Sequence, residues 1–411
     1  MKPTLLLITL LLLPFCRVNS QNPSKPFGVR FSGFVKTDIL YDTRQSSASN
    51  GIREGHFYLY PDDVAFSADS VDINASPSFH ILNIQTRFRA DLTGPDAFGA
   101  KTSGAIEAEF FGTSEADLNG FRLRHAFTRL DWKRTTLMIG QYWNPIFPDE
   151  CYPGTISFNT GAPFTPFARN PQIRITRRAG SLTAILTAYS ERDFVSTGPD
   201  GVSNKYMRNS GMPALNLQFR IPVARIGLLF AGADFRRIRP QLKTAANYST
   251  RQTLNSFSGF VTLNIKTKPV TFTAMGAWIR NATDLTMIGG YAIDDILDPE
   301  KYRVSYTNLS TLGTWFDLTT NGEKLKAGLF GGYERNFGAG TPVYYLYGRG
   351  TNIAFLYRIS PRVSFISGKT TFAAEWETTT AAYGNAGVDG KVTDAHPVTN
   401  VRLLGAVYYK F

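Results

Sequence analysis

The chain has 411 residues, with 44 Lys and Arg against 32 Asp and Glu, a formal net charge of +12, and 13% aromatic residues. A mean hydropathy of −0.15, with no apolar run after the N-terminus near the roughly 20 residues a bilayer-crossing helix needs, excludes a helical membrane protein. Its two cysteines are Cys16 and Cys151; once an N-terminal leader is removed only Cys151 remains, which excludes an intrachain disulfide.

Lys2 followed by the apolar run 5–13 and small Ser20 reads as a secretory signal peptide over residues 1–20. Residues 21–30 read as a short periplasmic segment and 31–411 as one domain, with no linker or low-complexity tract. Residues 31–42 alternate. Phe31, Gly33, Val35, Thr37, Ile39 and Tyr41 share one strand face, and Lys36, Asp38 and Asp42 the other. Residues 43–77 are polar and turn-rich and read as a loop or weak hairpin.

Residues 79–92 alternate again, with His80, Leu82, Ile84, Thr86, Phe88, Ala90 and Leu92 on one face and Asn83, Gln85, Arg87, Arg89 and Asp91 on the other. An arginine facing lipid at mid-membrane costs about 2–4 kcal/mol, so the charged face belongs inside a water-filled wall. In residues 102–110, Glu107 and Glu109 face inward and are expected opposite Arg87 and Arg89. Such ion pairing competes with solute binding for the same arginines. In residues 122–133, Arg122, Arg124, Ala126 and Thr128 are expected inward, which leaves His125 beside Leu123 and Phe127 on the outer face. A strand at 135–143 precedes residues 144–172, which hold six prolines and no alternation. A loop of that length is expected either to fold inward and narrow a channel or to pack over a rim.

Arg174, Thr176 and Arg178 share one face of the next strand. Asn216, Gln218 and Arg220 alternate with Leu215, Leu217 and Phe219. Further strands are expected at 226–236, 256–266, 270–280, 286–293, 307–316 and 324–334, with the acidic residues of 294–306 in a solvated loop. A turn at Ser360-Pro361-Arg362 is expected to separate strands at 352–359 and 363–378. In the second of these, Ile366, Gly368, Thr370, Phe372, Ala374 and Trp376 face out and Lys369, Thr371 and Glu375 face in. A polar loop, 381–397, leads to the final strand, NVRLLGAVYYKF. Its outer face is Val401, Leu403, Gly405, Val407, Tyr409 and Phe411, and its inner face carries Arg402 and Lys410.

Short strands, wet on one side and apolar on the other, define an all-β class: a transmembrane antiparallel up-and-down barrel of about 16 strands with long extracellular loops, in the cell outer membrane. Three stretches, SGFVKTDILYD (32–42), LRHAFTRLDWKRTTLMIGQYWNPIF (123–147) and RNPQIRITRR (169–178), resemble the DcaP-like outer-membrane porins. The resemblance implies a trimeric 16-strand channel that passes small anions, dicarboxylates among them, through a basic constriction; Arg124 matches the arginine of the family's RHAY block and Arg174 that of its PQIRY segment. The expected function is passive diffusion of small anionic solutes past Arg87, Arg89, Arg124, Arg174 and Arg178, where charge-assisted hydrogen bonds hold carboxylates transiently. The alternative is a non-conducting barrel acting as adhesin or scaffold. The histidines (His56, His80, His125 and His396) form no catalytic motif, so no catalytic residue, cofactor or metal is expected. Charge spread along strand faces argues against nucleic acid. The expected partners are outer-membrane lipid, small anionic solutes and further copies of the chain in a trimer.

Overall fold

The structure is a computed structural model that describes residues 27–48, 57–112, 117, 119–224 and 226–411. The signal-peptide reading of residues 1–20 lies outside them. The wall is a closed antiparallel sheet. Its strands in chain order are β1 (Gly28–Asp42), β2 (Ser78–Leu82 and Arg87–Thr93), β3 (Lys101–Glu109), β4 (Arg122–Asp131), β5 (Thr135–Trp143), β6 (Arg169–Ala179), β7 (Leu182–Tyr189) and β8 (Ala214–Val223). The second half continues with β9 (Gly227–Ile238), β10 (Leu254–Lys266), β11 (Val270–Arg280), β12 (Ser310–Thr320), β13 (Leu325–Asn336), β14 (Ile353–Ser367), β15 (Thr370–Ala386) and β16 (Val392–Lys410). The two parts of β2 both pair with β1 and form one interrupted strand, giving the expected 16. β1 and β16 close the barrel from Phe34 opposite Lys410 to Asp42 opposite Arg402. Closure leaves no free edge in the wall.

The alternation read from the sequence sets inside and outside. Phe31, Val35, Ile39 and Tyr41 are exposed on β1 while Lys36 and Asp42 are buried. Leu403, Tyr409 and Phe411 are exposed on the last strand while Asn400 and Arg402 are buried. The strands meet in short turns on the rim that carries Phe411. On the other rim stand long connections, including 43–77, 144–168, 190–213 and 281–309.

Several expectations change. β2 breaks at 83–86, where five residue steps from Leu82 to Arg87 face four from Asp38 to Phe34. One extra residue inverts the faces, so Phe79 and Ile81 point out and His80 and Leu82 in, ahead of outward Phe88 and inward Arg87 and Arg89. β4 carries a second bulge: Glu107 pairs with His125 and Ala108 with Leu123, leaving Arg124 as the extra residue. Both Arg124 and His125 therefore turn inward, and Ala126 and Thr128, expected inside, pair with outward Ile106 and with Gly104 on the outer face. Gln141 Nε2 donates to the bulge carbonyls of Leu123 (3.2 Å) and Arg124 (3.0 Å). Gly140, at φ 143°, makes the close approach possible, since a Cβ there would sit 2.1 Å from the Ala126 carbonyl oxygen.

Residues 286–293 are not a wall strand. Gly289–Asp298 pairs with Arg303–Asn308 and Tyr345–Arg349 in a separate three-stranded sheet on the long-loop rim, which also takes in most of the supposed acidic loop. Pro361 sits inside β14 opposite Leu329, and the turn comes instead at Gly368 and Lys369. Ile366 consequently pairs with inward Thr371. Most of 381–397 is strand, because β15 and β16 extend past the wall to a turn at 387–391.

Candidate functional site: the charged lumen

Residues 144–168 fold inward, and the strands on the far wall supply their anchors. Lys36 Nζ donates to the Ile156 carbonyl oxygen (2.7 Å), which also accepts from the Tyr408 hydroxyl (3.3 Å). Glu375 accepts from the Ile156 and Ser157 amides, and Glu377 from Asn159 Nδ2 (3.0 Å). Arg358 Nη1 donates to the Ala162 carbonyl and Nη2 to the Leu59 carbonyl, each at 2.9 Å, so one guanidinium clips two loops to β14. Around these anchors Phe57, Leu59, Phe111, Phe158, Phe164 and Phe167 join Trp315, Phe330 and Met287 in one apolar cluster inside the barrel. Gly313 and Gly332 on the wall make room for it: a Cβ on Gly332 would meet the Phe164 ring at 2.5 Å.

Beside this plug lies a dense ion cage. Glu109 is buried and accepts from Arg87 (3.0 Å), Arg122 (3.2 Å), Arg124 (2.6 Å) and Arg169 (3.2 Å). Glu107 accepts from Arg124 Nε (2.7 Å) and Arg89 Nη1 (3.3 Å). Asp193 closes the cage against Arg169 (2.6 Å) and Arg122 (3.1 Å). The two acids stand across from the two arginines, as the alternation predicts, and the sheet register sets Arg87 opposite Glu109 and Arg89 opposite Glu107. Arg124 is only 2% exposed, stacked 5.3 Å from the Trp143 ring centroid and committed to two carboxylates. The structure thus gives Arg124 a cross-linking place, whereas Arg87 and Arg89 keep side-chain exposures of 21% and 29%.

Arg174 and Arg178 lie elsewhere, around a cavity of about 270 Å³ between the inward loop and the short-turn rim. Arg129 and Arg220 line it as well, with Tyr142, Thr136, Thr176, Gln218 and the loop carboxylates Asp149 and Glu150. Arg220 pairs with Glu150 at 2.8 Å, Arg174 reaches Asp149 at 3.6 Å, and Arg129 pairs with Asp131 at 2.8 Å. Arg178 has no carboxylate among the described residues within ion-pair distance. Desolvation inside the lumen raises the Glu150 carboxyl above its ordinary value, partly offset by Arg220. Burial pushes the Cys151 thiol up to about 12, which leaves it unreactive at neutral pH.

The five arginines singled out in the sequence therefore divide between two places: Arg87, Arg89 and Arg124 in the cage, Arg174 and Arg178 at the cavity. The strand pattern did not single out Arg129, because the β4 bulge reverses its phase; the awkward outward His125 was the available signal. Arg220 was legible as a face but not as a partner of Arg174. Of the histidines, His125 packs against the Tyr142 and Trp143 rings and His396 Nε2 lies 2.8 Å from Asp63. His80 sits on the inner face of β2, and His56 is outside the described residues.

A closed 16-strand wall with an apolar exterior, a charged interior and a long loop folded into the lumen is the architecture of outer-membrane porins. No family model and no curated protein matches the sequence. Solved structures share the fold. The outer-membrane channel DcaP of Acinetobacter baumannii superposes with a TM-score of 0.71 at 18% identity, over 94% of this chain and 97% of that one. The anion-selective porin from Comamonas acidovorans aligns at 0.54 with 10% identity, over 94% and 100%. OmpT of Vibrio cholerae, an outer-membrane protein, aligns at 0.52 with 12% identity, over 95% and 99%. The fold is thus the one these solved outer-membrane barrels share.

Proposed function

We propose that this protein is a porin for passive diffusion of small anionic solutes, carried on an arginine-lined path. The observation that carries this reading is the cavity under the inward loop, where Arg129, Arg174, Arg178 and Arg220 face two lining carboxylates. Unpaired Arg178 is the strongest candidate for direct contact with a carboxylate or similar anion, and Arg87 and Arg89 offer partly exposed guanidinium groups farther along the lumen. Each is shared with protein acceptors or water, so binding stays weak enough for release. Reversal potential across a planar bilayer under a salt gradient tests this. Anion preference is expected, weakened in Arg178→Ala; equal permeability to both ions in the wild type overturns the reading.

The apolar plug favours a second reading, a closed barrel serving as adhesin or scaffold. Absence of any ohmic step from reconstituted protein would select it. The proposal includes a trimer in the outer membrane. It is supported by a groove of about 640 Å³ on the outer face of the seam, lined by Ile39, Tyr41, Trp376, Leu403 and Gly405, and by a V. cholerae relative in fold described in trimer form. It also includes removal of residues 1–20 as a signal peptide, which N-terminal sequencing of the mature chain checks.

A further inference from the structure

On the long-loop side of the wall, among the described residues, three arginines face outward rather than into the lumen. Arg237, Arg280 and Arg335 stand at or beside the long-loop ends of β9, β11 and β13, and each adjoins an inward, buried residue: Arg236, Ile279 and Glu334. Their strand neighbours two positions back are Phe235, Trp278 and Tyr333, with Trp278 and Tyr333 exposed on the outer face. Phe235 packs on Phe257 of β10 at 4.9 Å, and Trp278 on Phe337 at 5.0 Å. These rings form an aromatic girdle of the kind that marks the boundary of the hydrocarbon layer. The arginines lie at or just beyond that level, where an outward side chain meets headgroups.

None of the three has a carboxylate partner among the described residues. Arg237 Nε donates to Asn255 Oδ1 (2.6 Å), Arg335 stacks 5.4 Å from the Phe337 ring centroid, and Arg280 is exposed. The corresponding outward positions at Tyr41, Phe79, Leu123, Leu215 and Thr378 are uncharged. Strands about 4.8 Å apart set alternate strands about 10 Å apart, so the row offers three guanidinium groups in an arc along one sector of the wall. A planar guanidinium binds phosphate through two parallel hydrogen bonds.

We infer that this sector, β9 to β13, is a binding site for phosphate-bearing lipid headgroups of the outer leaflet. The apolar chains lie against Phe257 and Trp278, and the phosphates are held by Arg237, Arg280 and Arg335. The inference rests on the outer-membrane placement with the long loops outward, but not on conduction. The lumen residues play no part in it.

The test uses the full mature barrel in detergent, the triple variant Arg237→Gln, Arg280→Gln, Arg335→Gln, and bis-phosphorylated lipid A as the probe, with retention read by native mass spectrometry. Wild type is expected to retain the lipid about tenfold better than the variant, and better than it retains the same lipid with both phosphates removed. Heat-modifiable gel mobility shows that the variant is folded, since the substituted side chains leave the wall's interior untouched. Conductance is expected to be the same in both proteins; if both are silent, the channel reading fails while the lipid result still stands. Equal retention by wild type and variant, equal retention of the dephosphorylated lipid, or displacement by an equal concentration of inorganic phosphate overturns the inference. A change of oligomeric state in the variant would overturn it too, by making the row a subunit contact.

Discussion

Arg402 and Asp42 form a two-point ion pair across the seam where the last strand meets the first: Nε to Oδ1 at 2.9 Å and Nη2 to Oδ2 at 2.8 Å, with both side chains 1% exposed. The pair is also the last rung of the closing ladder. Asn400 Nδ2 donates to Asp42 Oδ1 (2.7 Å), so the carboxylate is held from three sides.

Asp42→Asn leaves a buried guanidinium without its counter-charge, and an unpaired buried charge costs about 3–5 kcal/mol. A lower urea midpoint for the folded, heat-modifiable band is expected. The double replacement Asp42→Asn, Arg402→Met is expected to recover part of the loss. An unchanged midpoint in the single variant would show that the seam does not depend on this pair.

Arg358 holds two loops and pairs with Glu377 at 3.4 Å. Arg358→Met fills similar volume while removing both tethers and leaving Glu377 without the charge. The plug should loosen, giving a larger and noisier single-channel step together with a stability loss of about 3 kcal/mol. A step of wild-type size and noise would mean that the apolar packing of Phe164 and Phe158 holds the loop by itself.

Arg124 and Arg178 should part company when replaced. Arg124→Ala removes two buried ion pairs, so stability falls by about 3 kcal/mol while ion selectivity in folded protein stays near wild type. Arg178→Ala removes an unpaired cation from the cavity, so selectivity falls while stability changes by no more than about 0.5 kcal/mol. Paired measurements of urea midpoint and reversal potential check both, and the reverse assignment would place the solute path through the cage.

Glu191, in the connection after β7, is buried and accepts from the Ser196 amide (3.0 Å) and hydroxyl (2.6 Å). Burial, reinforced by the charge of Asp284, pushes its carboxyl up to about 8. The folded form then binds a proton more tightly than the unfolded chain, so this group's contribution is full at low pH. It declines as pH rises from the ordinary carboxylate range through about 8. Amide exchange at Ser196 is expected to quicken over that interval in wild type and to stay flat in Glu191→Gln. Parallel pH profiles would remove Glu191 as the cause.

The wall was largely legible because burial on one side of a strand leaves a period of two in the sequence. That period fixed β1, β3 and β16 to their facing residues and put Glu107 and Glu109 across from Arg87 and Arg89. It failed wherever one residue was added. The break at 83–86 inverts residues 79–82 relative to the strand after it, the bulge at Arg124 inverts the rest of β4, and no local composition marks either. Pro361 misled for a different reason: a residue without an amide hydrogen is tolerated in a strand when the ladder skips it. The plug was legible only as an irregular, aromatic-rich stretch. Its destination depends on contacts more than two hundred residues away, such as Ser157 with Glu375.

That separation has a bearing on biogenesis. Leu59 and Ala162 find their shared donor only when residue 358 exists and β14 is in place. A chain delivered from its N-terminus therefore carries Phe57, Phe158, Phe164 and Phe167 uncovered for most of its passage. Slow, non-local closure of this kind exposes sticky surface to neighbours. Joining the two ends of the sheet, with the inward loop seated, is what takes that surface out of reach.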